Sequence, residues 1–366
     1  MPVAVLICLS AAALANANPI LVAGNVVDET GAPVPGARVY SRSAEVVVDQ
    51  SGEFALSIAT PTAVSIRIEA PGYYPFLHTL HRSDFVAGVE ARLPTIELVK
   101  KKAGRTLLLF AGDSMLSRRY FEPRAGEAKL VRRASVAEDG RKLLATIKPY
   151  IELADYASTN METQLSNEQL NDRVPKSVTF YSPDELASLL EWAGFDYVAL
   201  GNNHMYDYRD EGLESTFAAL GRTGLDHSGG GLDEAAARRP AHTSISDSEY
   251  AYLSYVGWAG TFSPTQVAED SKGGAALGNV RVIAEDLATL ADGPVTVMQL
   301  HAGLEYAESP ALSERTTMRQ AIVDGADVAI GHHPHVLQGF EIYDERLIAY
   351  SLGNLLFDQY HYTTQL

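Results

Sequence analysis

The chain has 366 residues, of which 46% are hydrophobic and 20% are charged, and this composition excludes an intrinsically disordered or collagen-like protein. Its length exceeds the roughly 250–300 residues at which a single hydrophobic core usually stops growing, so one to three domains are expected. Lys and Arg number 29 against 46 Asp and Glu, a formal net charge of −17 that excludes nucleic acid and polybasic membrane docking as favoured functions.

The first 17 residues have the pattern of a secretory signal peptide. Val3–Leu14 is almost entirely apolar, and Ala15–Ala17 matches a small-residue cleavage site. The apolar run is shorter than the roughly 20 residues that span a bilayer, and no Lys or Arg precedes it, so the true start of translation stays open. Cys8 is the one cysteine, so neither an intrachain disulfide nor a thiolate zinc site can form. The pattern predicts an exported protein of the periplasm or cell surface.

Residues 18–98 are predicted to form a small all-β sandwich. Short runs rich in β-branched residues, such as Ile20–Val27, alternate with turns such as Asp49–Gly52. This stretch resembles the carboxypeptidase regulatory-like, transthyretin-type module of exported proteins. The resemblance implies a spacer or binding role without chemistry. Residues 99–104, which include three consecutive lysines, are predicted to be a linker.

From residue 105 to residue 366 the pattern changes to alternating strands and helices, which predicts an α/β domain. The predicted strands are Thr106–Ala111, Tyr197–Leu200, Val295–Leu300, Val328–Ile330 and Leu347–Ser351. The predicted helices are Asp184–Ala193, Glu211–Leu220 and Arg315–Asp324. Ser182 is the predicted N-cap of the first of these helices.

Four of the predicted strands end in residues that can bind a divalent metal. In chain order these residues are Asp113, Asn203 with His204, His301, and His333 with His335. Because sites in open α/β sheets form at the carboxyl ends of the strands, these side chains are expected to converge. Imidazole and carboxylate groups in such a cluster suit one or two ions of Mn, Zn or Fe.

These motifs resemble the CapA family of poly-γ-glutamate capsule biosynthesis proteins, from about Thr106 to the end of the chain. GNNH at 201–204, GHHPHV at 331–336 and SLGNLLFD at 351–358 carry the resemblance in that order. The family is related to the calcineurin-like metallophosphoesterases, which implies a layered α/β/β/α sandwich with a dinuclear metal centre at its strand ends. The family domain usually continues beyond the last motif, so a chain that ends at Leu366 is expected to lack part of the outer sheet.

The resemblance also implies a ligand set with two departures from the phosphoesterase pattern. The implied metal ligands are Asp113, Glu162, Asn203, His301, His333 and His335. Met115 stands where a histidine ligand is expected, and a thioether is a poor ligand for these cations. Asn160 and Glu162 are alternatives for the bridging aspartate of the second motif, and Glu162 is favoured because a bridging ligand should carry charge. One metal position therefore looks intact and the other impoverished.

Further residues are assigned to catalysis and substrate binding. His204 matches the family's non-ligand histidine, which acts as a general acid or contacts the leaving oxygen, and Asp207 either orients His204 or caps a helix. Arg118 either binds a carboxylate or phosphate bidentately or is a solvated surface residue. The residues predicted to contact substrate are Glu305, Tyr306 and Asn160, with capping of a turn as the alternative for Glu305 and Tyr306.

The predicted function is that of an exported, metal-dependent hydrolase in the synthesis, release or export of poly-γ-glutamate or a related surface polymer. One alternative is a non-catalytic polymer-binding or export subunit, which Met115 favours, and another is a periplasmic phosphoesterase unrelated to capsule. The expected partners are an anionic polymer or a small phosphoester or amide substrate, together with membrane-bound capsule synthesis or export subunits. Because the chain is strongly acidic, a bound cation is needed to attract any anionic substrate.

Overall fold

The residues that the computed structural model describes are 20–58, 63–84, 90–291 and 293–359. They form two compact units, of which the first ends at Lys102 and the second begins at Ala103. The predicted signal peptide, with Cys8, lies outside the described residues. None of the helices in the described ranges is long and apolar enough to cross a bilayer.

The first unit consists, in its described part, of two four-stranded sheets around an apolar core. Its strands are β1 (Ile20–Asp28), β2 (Arg38–Tyr40), β3 (Glu45–Val47), β4 (Glu53–Ile58), β5 (Ala63–Glu69), β6 (Phe76–His81), β7 (Glu90–Arg92) and β8 (Ile96–Leu98). One sheet has the order β4-β1-β7 with β8 also pairing to β1, and the other has the order β3-β2-β5-β6. Inward-facing residues such as Val22 and Ile66 form the core, because side chains alternate between the two faces of a strand. The predicted linker begins within this unit, since Lys100 Nζ lies 2.7 Å from Asp28 Oδ2.

Two larger sheets and two short strand pairs make up the β-structure described in the second unit. The strands are β9 (Leu108–Ser114), β10 (Tyr156–Met161), β11 (Gln164–Leu165), β12 (Tyr181–Ser182), β13 (Tyr197–Ala199), β14 (Asp226–Ser228), β15 (Gly230–Gly231), β16 (Ala241–Ile245), β17 (Ser248–Val256), β18 (Gly274–Ala275), β19 (Val295–His301), β20 (Val328–His332), β21 (Phe340–Tyr343), β22 (Arg346–Ala349) and β23 (Asn354–Leu356). The first sheet, β14-β13-β10-β9-β23, is parallel throughout. The second, β16-β17-β19-β20-β22-β21, is parallel from β17 to β22 and has an antiparallel hairpin at each edge.

Helices cover the outer faces of these two sheets. They are α1 (Val136–Leu144), α2 (Lys148–Ile151), α3 (Glu185–Ala193), α4 (Arg209–Leu220), α5 (Glu234–Ala237), α6 (Val280–Ala288) and α7 (Leu312–Val323). Residues of α1, α3 and α4 share an apolar cluster with the first sheet, and residues of α6 and α7 share one with the second. The inner faces of the sheets meet through a separate cluster that includes Tyr156, Tyr197, Tyr252 and Val297. Parallel strands covered on both faces in this way place their carboxyl ends at a common edge.

The predicted order of an all-β unit followed by an α/β unit is confirmed, whereas the second unit differs in several details and includes elements such as β17, α1 and α6 that were not predicted. The central strand β10 was not predicted, because its sequence carries polar residues although every position is buried. Ser182 was wrongly predicted as a helix N-cap. Its hydroxyl donates to Thr163 Oγ1 at 3.1 Å and accepts from Leu116 N at 2.9 Å, and Asp184 is the residue that precedes α3.

A buried glutamate in the first turn of α7 is expected to make stability depend on pH. Glu314 is 3% exposed, and burial raises its pKa from 4.5 to about 7. Since the folded state holds this proton more tightly than the unfolded state, the contribution is fully present below pH 4.5 and is lost as the pH rises through 7. The loss amounts to about 3 kcal/mol at most. Urea unfolding between pH 5 and pH 8 should therefore show a flatter profile for Glu314→Gln than for the wild type. Glu211→Gln, on the exposed face of α4, is the control, and equal slopes in all three proteins would contradict the prediction.

Candidate metal centre

Polar side chains from five strand ends, three in the first sheet and two in the second, form one buried cluster. They are Asp113 in β9, Glu162 after β10, Asn203 after β13, His301 in β19, and His333 with His335 after β20. All six are at most 9% exposed. The structure therefore brings together the residues that the sequence marks as metal ligands, at the edge where the parallel strands of both sheets end.

The carboxylate of Glu162 lies at the centre of this cluster. Its Oε1 atom is 3.5 Å from His301 Nε2, 3.8 Å from His204 Nε2 and 3.9 Å from His335 Nε2. Neither carboxylate oxygen has a hydrogen-bond partner among the described residues, and burial raises the pKa of the group well above its ordinary value. A buried carboxylate without partners is strongly unfavourable unless a proton or a cation compensates it. The residues present therefore fit a bound cation.

The ligand atoms form two overlapping groups. Those of Glu162, His301 and His333 lie within 4.8 Å of one another, and so do those of Asp113, Glu162 and His335. Asn203 Oδ1 adjoins the first group, 2.9 Å from His301 Nε2. Glu162 belongs to both groups, which is the position that a bridging ligand would take. The mixture of imidazole nitrogen and carboxylate oxygen suits Mn, Zn or Fe.

The histidines of the GHHPHV motif are held in a strained backbone. His333 has φ of 97° and His335 has φ of 57°, in the left-handed region that residues other than glycine rarely adopt. Such strain clusters at functional sites, where the surrounding structure holds it in place. The His333 ring also packs against Trp258, with ring centroids 4.7 Å apart. The strained turn therefore fixes the direction in which the His333 and His335 side chains point, at the expense of backbone stability.

The ionisation of these imidazoles follows from burial and from the two carboxylates. Burial lowers the pKa of His333 to about 3 and lowers that of His301 well below its ordinary value, so both rings are neutral at pH 7. Burial acts in the same direction on His335, but the charges of Glu162 and Asp113 overcome it and raise its pKa to about 9. Metal ligands must be deprotonated, so binding near His335 would release a proton.

Asp113 is held by residues that the sequence analysis placed elsewhere or missed. Asn160 Nδ2 donates to Asp113 Oδ1 at 2.8 Å, and Asn160 Oδ1 accepts from Asn202 at 3.1 Å. Both ends of this buried amide are thus occupied by protein groups, which differs from its predicted role in substrate binding and leaves Glu162 as the central carboxylate. His332, which was not predicted, lies with Nδ1 3.4 Å from Asp113 Oδ1 and Nε2 2.9 Å from Gln299 Oε1. Its only sequence signal is its place in a run of three closely spaced histidines.

Met115 occupies a fully buried position after β9. Its sulfur accepts a hydrogen bond from Ser117 Oγ at 3.7 Å, and its backbone N–H donates to Leu356 O at 2.7 Å. Its side chain adds no nitrogen or oxygen ligand to the group of Asp113, Glu162 and His335. That group therefore has fewer hard donors than the group around His301.

His204 and Asp207 form a tight pair beside the cluster, and a lysine joins them. His204 Nδ1 lies 2.6 Å from Asp207 Oδ2, and burial lowers the pKa of His204 to about 4. Lys176 Nζ lies 3.2 Å from Asp207 Oδ1, 2.7 Å from the Asn203 carbonyl oxygen and 3.2 Å from His204 Nδ1. Burial lowers the pKa of Lys176. No motif in the sequence marks this lysine, which lies in the long loop between β11 and β12.

A cleft of about 450 Å³ opens above the cluster. Its lining includes Arg118, Lys176, His204, Glu305, Tyr306 and His335. Arg118 is 35% exposed and is paired within the protein, because its Nε lies 3.3 Å from Asp358 Oδ2 and its guanidinium carbon lies 5.3 Å from the centroid of the Phe180 ring. Glu305 is exposed at the rim, and the Tyr306 hydroxyl accepts a hydrogen bond from Gln359. The predicted catalytic and substrate residues other than Asn160 and Asp207 therefore line one cleft, and Asp207 is buried behind His204.

Comparison with known families matches both units. The profile of the family described as bacterial capsule synthesis protein PGA_cap matches residues 107–359. The profile of the carboxypeptidase regulatory-like domain matches residues 22–93. The first match covers well over half of the chain and includes every residue of the cluster, and the second lies within the small β unit.

Curated relatives are similar over the second unit or more. Capsule biosynthesis protein CapA of Bacillus anthracis is 29% identical over 220 residues, which are 58% of this chain and 53% of that protein. PGA biosynthesis protein CapA of Bacillus subtilis is 26% identical over 263 residues, 68% of this chain and 63% of that protein. A Mycobacterium tuberculosis protein named "Probable polyglutamine synthesis accessory protein" is 27% identical over 270 residues, 69% of this chain and 70% of that protein. The chain thus spans between half and two thirds of the length of the two CapA proteins. The crystal structure of a hypothetical protein from Thermus thermophilus aligns with a TM-score of 0.43 and 15% identity, over 70% of this chain and 79% of that chain.

Proposed function

Because the chain belongs to the PGA_cap family of bacterial capsule synthesis proteins, we propose that it acts in the biosynthesis or export of poly-γ-glutamate or a related anionic surface polymer, as a metal-dependent hydrolase. The names of the CapA relatives support the polymer. Helices outside two packed sheets support the calcineurin-like α/β/β/α arrangement of the second unit. The signal-peptide pattern of residues 1–17 supports export to the periplasm or cell surface.

The observation that carries the proposal is the Glu162 carboxylate among the imidazoles. A protein that used this cluster only for folding would pair the carboxylate with a donor, because an unpaired buried polar atom costs about 1–3 kcal/mol. Here both oxygens lack a partner within the described ranges, while three imidazoles lie 3.5–3.9 Å from one of them. That arrangement leaves room for a cation and the ligands to hold it.

The roles of the residues follow from their positions. A divalent cation held by this cluster supplies Lewis-acid stabilisation of negative charge on a substrate oxygen. Asp207 accepts from His204 Nδ1 and so leaves Nε2 facing the Glu162 end of the site, where it can hold or pass a proton. Tyr306 and Glu305 border the cleft and would orient the substrate.

Charge in the cleft also favours a cation-dependent site. Its basic side chains among the described lining residues are already paired, Lys176 with Asp207, Arg118 with Asp358 and His335 with Asp113. Glu305 adds a negative charge at the rim. An anionic substrate would therefore meet little free positive charge from the protein alone, so the cation supplies it.

Metal analysis and a phosphoester assay test this proposal together. Purified wild-type protein should contain one or two equivalents of a divalent metal and should hydrolyse bis(p-nitrophenyl) phosphate. His301→Ala should lose metal and at least about tenfold in activity. His242→Ala changes an exposed histidine of β16 and should behave as the wild type does. Wild-type protein without metal, with activity equal to that of His301→Ala, would overturn the proposal.

A second candidate function is that of a non-catalytic polymer-binding or export subunit. Met115, which stands at the position of an expected histidine ligand, favours it. In that case the wild type would bind the polymer without hydrolysing any phosphoester. A genetic experiment distinguishes the capsule function from a periplasmic phosphoesterase unrelated to capsule. If the protein is such a phosphoesterase, a strain carrying His333→Ala would keep its surface polymer.

A further inference from the structure

Lys176 is a buried cation that the proposed chemistry does not use. Its side chain is 14% exposed, and holding an ammonium group in such a place is unfavourable unless hydrogen bonds and opposite charge compensate it. The compensation comes from the site itself, through the Asn203 carbonyl oxygen at 2.7 Å and Asp207 Oδ1 at 3.2 Å. The residue thus connects a predicted metal ligand with the carboxylate that holds His204.

We propose that Lys176 is a positioning residue that locks the Asp207–His204 pair against Asn203, so that His204 Nε2 faces the reacting end of the cleft. The Asp207 carboxylate has two oxygens with separate tasks. Oδ2 accepts from His204 Nδ1 at 2.6 Å and from Phe180 N at 3.0 Å, and Oδ1 is left for Lys176. Without the lysine, Oδ1 would be a buried charge with no other partner among the described residues, and the carboxylate would gain by rotating away from His204.

The Asn203 contact gives the lysine a second hold on the same loop. Asn203 immediately precedes His204 in the chain. Its side-chain oxygen lies against His301, and its backbone oxygen accepts a hydrogen bond from Lys176. The Phe180 ring packs on the other side of His204, with centroids 4.0 Å apart. The imidazole is therefore held by a ring stack, a carboxylate and the backbone that Lys176 fixes, which is the arrangement expected of a group that must be kept within a narrow range of orientations.

Lys272 provides a matched control. Its side chain is 16% exposed, its ammonium group donates to the carbonyl oxygens of Thr265 and Gly273 at 3.1 and 3.2 Å, and burial lowers its pKa as well. It is not among the residues that line the cleft. Lys272→Met therefore removes an ammonium group of nearly equal exposure whose contacts include the Tyr206 ring, at 4.5 Å, but neither Asp207 nor His204.

The role of Lys176 can be tested by enzyme kinetics, which rests on the proposed function, and by NMR spectroscopy, which needs neither bound metal nor activity. The probe is the downfield NMR signal of the His204 Nδ1 proton, which the short bond to Asp207 should produce in metal-free protein. Lys176→Met should shift or broaden that signal, and Lys272→Met should leave it in place. In the phosphoester assay, Lys176→Met should lower kcat by about 10- to 100-fold with KM changed less than about threefold, and Lys176→Arg should recover part of the loss.

The outcomes separate the two proposals. An unchanged His204 signal in Lys176→Met, or a kcat no lower than that of Lys272→Met, would overturn the role of Lys176. A wild type without metal or phosphoesterase activity would overturn the hydrolase, and the NMR comparison would still decide whether the lysine holds the pair. Equal loss of the signal in both methionine variants would point to general destabilisation and would also overturn the inference.

Discussion

Glu162→Gln is expected to abolish metal binding while it stabilises the metal-free protein. Both effects follow from one carboxylate, which belongs to both ligand groups and has no hydrogen-bond partner among the described residues. A glutamine of the same shape lacks the charge that balances a cation, so neither group should keep its ion. The same change removes a buried carboxyl group that lacks hydrogen-bond partners and whose ionisation opposes folding, which should raise the free energy of unfolding of the chelated protein by about 1–3 kcal/mol. Metal content after dialysis and urea unfolding in the presence of chelator measure the two effects.

The gain in stability should grow with pH. Burial raises the pKa of Glu162, so the folded metal-free protein favours the protonated acid, and that contribution is lost as the pH rises through the folded pKa. The difference between variant and wild type should thus be larger at pH 8 than at pH 5. Asp113→Asn is the matched comparison, because it alters one ligand group and leaves Glu162, His301 and His333 in place. Undiminished metal content in Glu162→Gln would show that the carboxylate is not a ligand.

The ligands of this cluster were predictable because each follows or ends a strand. His301 and His333 end apolar runs that read as buried strands, and in a parallel sheet such ends share one edge. The family motifs then selected Glu162, which no strand prediction had reached, because β10 reads as polar. Residues that act only through tertiary contacts have neither a strand end nor a family motif to identify them in the sequence. Lys176 and His332 reach the site from a loop and from within a histidine run, and only the folded chain shows what they touch.

The unpredicted strand nearest the site, β10, lies where burial does not require apolar side chains. β10 keeps Ser158, Thr159 and Asn160 fully buried, and the structure satisfies them internally, for example through Thr159 Oγ1 donating to Gly112 O at 2.7 Å. A pattern of apolar residues cannot report such a strand, because hydrogen bonding to neighbouring strands replaces apolar contact. Because β10 lies next to the metal-ligand cluster, the hydrophobic pattern of the sequence did not predict the strand that leads to Glu162.

Gly331→Ala is expected to destabilise the protein severely, through a contact that no side chain can relieve. A Cβ atom built on Gly331 would lie 1.9 Å from the carbonyl oxygen of Tyr350, which belongs to the backbone after β22. Because backbone cannot move aside as the end of a side chain can, β20 would have to separate from β22, and the loss should exceed about 3 kcal/mol of unfolding free energy. His333 follows two residues later, so the shift should also weaken metal binding.

Gly339→Ala is the control for this substitution, because it introduces the same methyl group where no atom lies within 4 Å and the backbone is not left-handed. That variant should match the wild type or gain up to about 1 kcal/mol through the lower entropy of its unfolded chain. Urea unfolding followed by circular dichroism compares the proteins, and soluble yield relative to Gly339→Ala replaces it if Gly331→Ala does not fold. Equal stability of Gly331→Ala and Gly339→Ala would mean that β20 and β22 can separate at this point. The orientation of His333 and His335 would then not depend on the close approach of these two strands.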